Sequence, residues 1–176
     1  MKAKILWFTG LSGTGKTTLS KKLNKVLKKQ NKTTLFLDGD QFRKKNKFLK
    51  KDKFNIKSIL KNNYSIIKYI NKISNKYDFI LVSVISPLSI TRRYAKKKLK
   101  DNYFEIYVYC KIKTLEKRDT KGLYKKAKLK VIKDLVGYNS KIKYQKSNYT
   151  VIKLNTDKLT KKDCIRFICK RIQKHL

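Results

Sequence analysis

Acidic residues are scarce in this 176-residue chain: 11 aspartates and glutamates stand against 48 lysines and arginines, a formal net charge of +37. Proline occurs once, at Pro87, so no proline-rich linker divides the chain. Histidine also occurs once, as His175 beside the C-terminus, and reads as terminal surface rather than as a catalyst. The three cysteines, Cys110, Cys164 and Cys169, are odd in number and form no C-x-x-C pair. That argues against a disulfide framework or a zinc site and for a reducing compartment. No apolar run approaches a membrane span. The run Ile5 to Phe8 is too short for a signal-peptide core. A cytoplasmic protein without a membrane partner is expected. Glycine is scarce as well, with six in all, yet three of them crowd into Gly10, Gly13 and Gly15.

What is present is lysine. Only six of the 48 basic residues are arginine, the residue that dedicated nucleic-acid surfaces use for forked and stacked contacts. Lysine is spread along the whole chain with asparagine and isoleucine, a trio that A+T-rich coding DNA enriches. Dispersed charge of this kind reads as a solvated surface, not a nucleic-acid patch. It still attracts nucleotide anions. The rival reading, a nucleic-acid-binding ATPase, would need lysines gathered on one face.

Apolar strands alternate with amphipathic helices. Strands are expected at Ala3 to Thr9, Thr34 to Leu37, Phe79 to Val84, Tyr103 to Cys110 and Thr150 to Leu154. Helices are expected at Lys16 to Gln30, from Ile56 to Ile73, at Thr91 to Lys100 and at Asp163 to Lys174, with a helical turn at Thr114 to Arg118. Asp119 to Gln145 is polar and lysine-rich, with a helical stretch inside it. The pattern predicts one α/β domain over 1–176, a parallel sheet with helices on both faces. Ligands of such sheets bind beyond the carboxyl ends of the strands.

Gly10, Leu11, Ser12, Gly13, Thr14, Gly15, Lys16 and Thr17 fit G-x-x-x-x-G-K-[ST], with a strand before and a helix after. Glycines let successive N–H groups curl inward onto phosphate oxygens, and the helix N-terminus adds partial positive charge. Lys16 is expected on the β- and γ-phosphates of ATP, and Thr17 on Mg²⁺, with Thr18 beside it in the donor site. Two GTPase-like fragments, Asp119 to Gly122 and Asn75 to Asp78, occur in the wrong order and are coincidences. Asp38 and Asp40 end the second strand and face this loop, where a kinase needs a carboxylate for the attacking hydroxyl or the metal's waters. Arg43, one turn on, could hold an anionic acceptor.

At this point the chain resembles a family. The segments Leu6 to Thr17 (LWFTGLSGTGKT), Leu37 to Arg43 (LDGDQFR), Ile85 to Pro87 (ISP) and Asp119 to Ala127 (DTKGLYKKA) are similar to adenylylsulfate kinase, in that family's order and spacing. The resemblance implies a P-loop nucleoside-triphosphate hydrolase fold with a mobile lid at about 119–145. It implies a homodimer that phosphorylates the 3′-hydroxyl of adenosine 5′-phosphosulfate with Mg-ATP, for sulfate assimilation. Asp40 would then act on that hydroxyl, with Asp38 beside it. Arg43, Asn55 and Lys57 would meet the acceptor's phosphosulfate end. Ile85 and Ser86 would contact the acceptor, Lys121 would act from the lid, and Arg118 would lie near the donor nucleotide.

The departures from the family pattern gather on the acceptor side. The family stacks the acceptor's adenine between two phenylalanines. Leu135 stands at the lid position, and Phe48 is the candidate for the other. Lys57 and Ser58 replace two arginines, and Ser89 replaces a third. Lysine does not reproduce an arginine fork. A changed acceptor with a smaller base is therefore a second reading, such as cytidine diphosphoramidate, the substrate of capsule-modifying kinases in the same wider family.

Overall fold

The computed structural model describes residues 2–46 and 55–173. Phe48 and His175 lie outside them. The elements in chain order are β1 (Lys4–Thr9), α1 (Lys16–Lys29), β2 (Thr34–Asp38), α2 (Gly39–Lys45), α3 (Ile56–Ile73), β3 (Phe79–Ser83) and α4 (Ser89–Leu99). They continue with β4 (Tyr103–Tyr109), α5 (Ile112–Arg118), α6 (Leu123–Lys128), β5 (Thr150–Asn155) and α7 (Lys161–Gln173). Each expected strand and helix is present, with ends shifted by a residue or two. The short helix α2 was not foreseen, because Asp38-Gly39-Asp40 reads as a turn when taken alone.

The five strands form one parallel sheet in the order β2-β3-β1-β4-β5. Strand β1 shows why its sequence has no polar alternation. Ile5 and Trp7 pack on one face with Ile66, Ile67 and Ile70 of α3. Leu6 and Phe8 pack on the other with Leu19, Leu23 and Leu27 of α1 and with Ile165 and Ile168 of α7. Side chains alternate along a strand, so a strand covered on both faces is apolar throughout. In α1 the residues Leu19, Leu23 and Leu27 recur every fourth position, which builds one apolar stripe. Lys28 and Lys29 in its last turn suit the negative end of the helix dipole.

Strand order reverses beside β1, and the chain leaves β1 there into the glycine loop. Gly10 is required at that exit: a Cβ on it would sit 2.0 Å from the Val108 carbonyl oxygen of neighbouring β4. The 119–145 segment folds over this end of the sheet. Tyr124, Ala127 and Leu135 pack with Leu115, while Val136 and Ile142 pack with Ile59 of α3. Among the described residues, no helix is long and apolar enough to cross a membrane.

Candidate active site

Two cavities open at the carboxyl ends of the strands and share a wall. The first, 530 Å³, is lined by Gly13, Gly15, Lys16, Thr17, Thr18, Arg118 and Thr156, among others. The second, 790 Å³, lies between α2 and the 119–145 segment and is lined by Arg43, Gln41, Leu123, Ile132, Leu135 and Val136, among others. Ser12, Thr17, Asp38, Asp40, Ile85 and Lys121 border both. A group passing from one cavity to the other crosses these six residues.

The phosphate loop is built from its backbone outward. Gly15 precedes α1 in the left-handed region at φ 98°, so the first amides of the helix face the first cavity. Thr14 donates to the Leu11 carbonyl at 3.0 Å, which tightens the loop. Lys16 is buried, and its Nζ donates to the Leu11 carbonyl at 2.7 Å. Burial, and next the charge of Lys121, lower its pKa from 10.5 to about 8, against the pull of Asp40 and Asp38. A lysine held this way is poised to exchange one carbonyl for phosphate oxygens.

Asp38 does two jobs. One carboxylate oxygen caps α2, accepting from the Asp40 and Gln41 amides at 3.0 and 3.2 Å. The other accepts from Thr17 Oγ1 at 3.0 Å, and Thr17 also bonds Ser83 Oγ at 3.0 Å. Asp38 and Ser83 are register partners on β2 and β3, so the sheet itself brings this oxygen cluster together. Hydroxyl and carboxylate oxygens suit a magnesium ion, which keeps several waters and needs few protein ligands.

Asp40 is the second residue of α2, in its first turn, and meets Lys121 at 2.6 Å, 81 residues away in sequence. Burial pushes the Asp40 carboxyl up. The Lys121 hydrogen bond, with the charges of Lys121, Arg43 and Lys16, outweighs it and holds the carboxyl below its ordinary value. Both side chains keep about half their exposure, 55% and 50%. A pair this wet contributes roughly 0–1 kcal/mol and is easily exchanged for other partners.

Arg118 reaches from the end of α5 to Thr156, donating to its hydroxyl at 2.9 Å and its carbonyl at 2.7 Å. Thr156 in turn donates to the Thr14 carbonyl at 3.2 Å, so α5 is tied to the phosphate loop through the end of β5. Thr156 and Ser83 belong to none of the sequence motifs, and Tyr124 stands in the DTKGLYKKA segment without an assigned role. Tyr124 donates to the Ser12 carbonyl at 2.8 Å and braces the loop from below. The rule that ligands gather at strand ends could have flagged Ser83 and Thr156.

Asn55, Lys57 and Ser86, expected at the acceptor, are not among the residues that line the second cavity. Asn55 caps α3, accepting from the Ser58 amide at 2.8 Å. With Lys57 it lines a neighbouring depression, together with Lys133 and Ser140, which meets the second cavity at Asp134. Ser86 is fully buried, and its hydroxyl pairs with Thr91 at 2.9 Å. Its side chain therefore does not face the second cavity, and of the Ile85-Ser86 pair it is Ile85 that lines the wall.

A family model described as adenylylsulphate kinase matches residues 2–154. The chain belongs to the adenylylsulphate kinase family. It is a kinase that transfers phosphate to a hydroxyl group. An adenylyl-sulfate kinase of Clostridium acetobutylicum is 34% identical over 99% of this chain and 85% of its own length. A cytidine diphosphoramidate kinase of Campylobacter jejuni is 32% identical over 96% of this chain and 95% of its own. The solved structure of the Mycobacterium tuberculosis APS kinase CysC in complex with AMPPNP and APS superposes with a TM-score of 0.85 at 25% identity, covering 98% of each chain. The fold is thus that of the P-loop kinases, and two acceptor chemistries occur among the relatives.

Proposed function

We propose that this chain transfers the γ-phosphoryl group of Mg-ATP to the 3′-hydroxyl of adenosine 5′-phosphosulfate, giving 3′-phosphoadenosine 5′-phosphosulfate. The observation that carries the reading is the shared wall: donor and acceptor cavities meet at Thr17, Asp38, Asp40 and Lys121. ATP phosphates lie along Gly10 to Thr17, with Thr18 and Arg118 toward the nucleoside. Thr17 and Asp38 would hold magnesium, directly and through water. The ion supplies charge neutralisation between the β- and γ-phosphates when bound.

The acceptor lies in the second cavity with its hydroxyl at Asp40. A bond from that oxygen to the γ-phosphorus forms as the bridging bond to the β-phosphate breaks and ADP departs, and the hydroxyl proton passes late to an oxygen of the transferred phosphoryl group and from there to solvent. Asp40 is a weak base while Lys121 holds its pKa down. Its role is to orient the hydroxyl, which suffices for a loose phosphoryl transition state. Lys16 and Lys121 flank the transferring group and offset its charge. The 119–145 segment acts as a lid that excludes water, which would otherwise intercept ATP. Arg43 faces the acceptor's anionic end.

A second reading keeps the donor half and changes the acceptor to cytidine diphosphoramidate. Leu135, in an apolar stretch of wall with Ile132 and Val136, favours it, because leucine offers a base no aromatic stack. Incubation with Mg-ATP and each acceptor, with products read by mass, separates the two. A phosphorylated product from adenosine 5′-phosphosulfate supports the first reading. Product from the cytidine compound alone replaces it with the second. Strong stimulation of ATP hydrolysis by RNA or DNA would overturn both. We place the protein in the cytoplasm as a homodimer, which sedimentation equilibrium tests.

A further inference from the structure

Among the described residues Arg92 is the only fully buried arginine, and the reaction outlined above gives it no task. It lies on α4, yet its contacts join three separate segments. One guanidinium nitrogen donates to the Ser86 carbonyl and another to the Gln145 carbonyl. Nε lies 3.3 Å from Glu105 Oε1 on β4, a contact of charge without hydrogen-bond geometry. The guanidinium carbon is 4.9 Å from the centre of the Tyr144 ring. Glu105 is buried as well, and its remaining capacity is filled by Thr150, Ser147 and Tyr103 at 2.7, 3.1 and 3.3 Å. Such a pair is costly to bury, and satisfied neighbours of this kind are what allow it to persist. Lysine is the default cation of this chain, but it has neither the fork for two carbonyls nor the flat face for a ring.

Gln145 completes the junction. Its amide donates to the Pro87 carbonyl at 2.8 Å. Its side-chain oxygen accepts from the Ser89 amide at 2.7 Å and the Ser89 hydroxyl at 2.9 Å. That caps α4, whose own N-cap residue, Leu88, supplies no side-chain bond. Tyr144 stacks on Tyr107 with ring centres 4.7 Å apart and bonds Thr9, the last residue before the phosphate loop, at 3.1 Å. Two residues before Tyr144, Ile142 packs with Val136 in a cluster against which Ile85 also packs. Both Val136 and Ile85 line the acceptor cavity.

We propose that Arg92 and Gln145 are positioning residues that clamp the C-terminal root of the lid onto the Ser86–Ser89 turn, fixing the Ile85 and Val136 walls of the acceptor cavity. The clamp makes 144–147 a fixed anchor, so that lid movement is confined to the chain before it. It rests on the two-substrate reading and names which substrate feels it more: the acceptor, whose cavity both Ile85 and Val136 line, whereas only Ile85 also borders the donor cavity.

The test uses the full-length protein with Gln145→Ala, which removes only an exposed side chain, and with Arg92→Lys and Arg92→Met. Amide hydrogen exchange is the primary readout. In Gln145→Ala, exchange at 86–89 and 142–147 should rise by up to about tenfold, the size expected for the loss of one or two net hydrogen bonds, while β1 and β3 stay unchanged. Arg92→Lys should show the same local pattern more strongly, and Arg92→Met more strongly still. Acceptor KM should rise severalfold in Gln145→Ala, with ATP KM changed less. Unchanged local exchange in Gln145→Ala would overturn the clamp, as would faster exchange spread evenly over all five strands. If Arg92→Met fails to fold, Gln145→Ala and Arg92→Lys still decide. A wild-type protein that phosphorylates neither nucleotide acceptor defeats the proposed function, whereas the exchange pattern still judges the clamp by itself.

Discussion

The two cavities are neighbours, yet they are made in opposite ways. The phosphate-binding part of the donor side is local: Gly10 to Thr18 is one continuous stretch, and its geometry follows from glycine backbone, a helix N-terminus and one strand exit. The acceptor side is assembled from afar, by α2, the Ile85 turn and a lid that returns more than eighty residues later to place Lys121 on Asp40. A short motif tolerates little change, because each residue has one job set by the backbone. A wall made of side chains from several segments can be retuned one residue at a time. That contrast fits a departure from the family pattern at Leu135, on the acceptor wall, beside an intact phosphate loop; Lys57 and Ser89, the other departures, do not line that wall.

The largest effect is expected on the donor side. Lys16→Ala should lower kcat on the order of a thousandfold with every acceptor alike, since the charge it brings is needed in the transition state whatever the hydroxyl. Steady-state kinetics with both nucleotide acceptors checks this. Unequal losses would show that Lys16 also reads the acceptor and that the two halves are less separate than their walls suggest. Asp40→Asn comes next, at about a hundredfold in kcat. A residue that orients through a hydrogen bond should retain activity in the isosteric amide better than a true base would. Loss as severe as that of Lys16→Ala would assign Asp40 the proton after all.

A smaller and graded effect follows from titration. Burial, helped by Lys121, sets the Lys16 pKa at about 8. The charged form is therefore lost as pH rises through 8, and kcat/KM for ATP should fall by about tenfold per pH unit above it. Bound phosphates favour the charged lysine, so the same limb in kcat should lie at higher pH. Stability runs the other way. Folding lowers this pKa, so the unfolded chain holds the proton more tightly between pH 8 and 10.5. The cost of burying the charged lysine is present in full below 8 and relieved as pH rises toward 10.5. Lys16→Arg should remove the alkaline limb of kcat/KM, which a pH series would reveal.

Legibility in the sequence follows the same division. The strands and the helices α1, α3, α4 and α7 were readable because their apolar periodicity is set by burial on one or both faces. Helix α2 was not, since its N-cap is a strand-ending aspartate whose side chain serves Thr17 and the helix together. Thr18 and Arg118, expected from the motif and the resemblance, both line the first cavity. Ser86 was assigned to the acceptor by its place in a motif, but its side chain is drawn inward by Thr91, and its carbonyl serves Arg92. Asn55 and Lys57 face a different depression. Periodicity reports which way a residue faces its own core. It carries no information on which of two adjoining clefts a loop residue will border.

The smallest expected effect is the one that discriminates best within the acceptor half. Leu135 is buried at 8% exposure, packs in the cluster of Tyr124 and Ala127, and presents part of its side chain to the acceptor cavity beside Val136. Leu135→Phe adds an aromatic face there. Stacking on a base is worth about 1–3 kcal/mol, and leucine already supplies part of it as apolar contact. The net gain should then be about tenfold or less in kcat/KM, larger for adenine than for a smaller pyrimidine ring. The ratio of kcat/KM for adenosine 5′-phosphosulfate over cytidine diphosphoramidate should rise, with ATP KM constant. An unchanged ratio would mean that Leu135 does not face the base and that discrimination lies in the anionic end held near Arg43. A fall in both values would show instead that the larger ring disturbs the packing against Tyr124, since a close-packed cluster resists added volume. Because Tyr124 braces the Ser12 carbonyl, that disturbance would reach the phosphate loop and raise ATP KM as well.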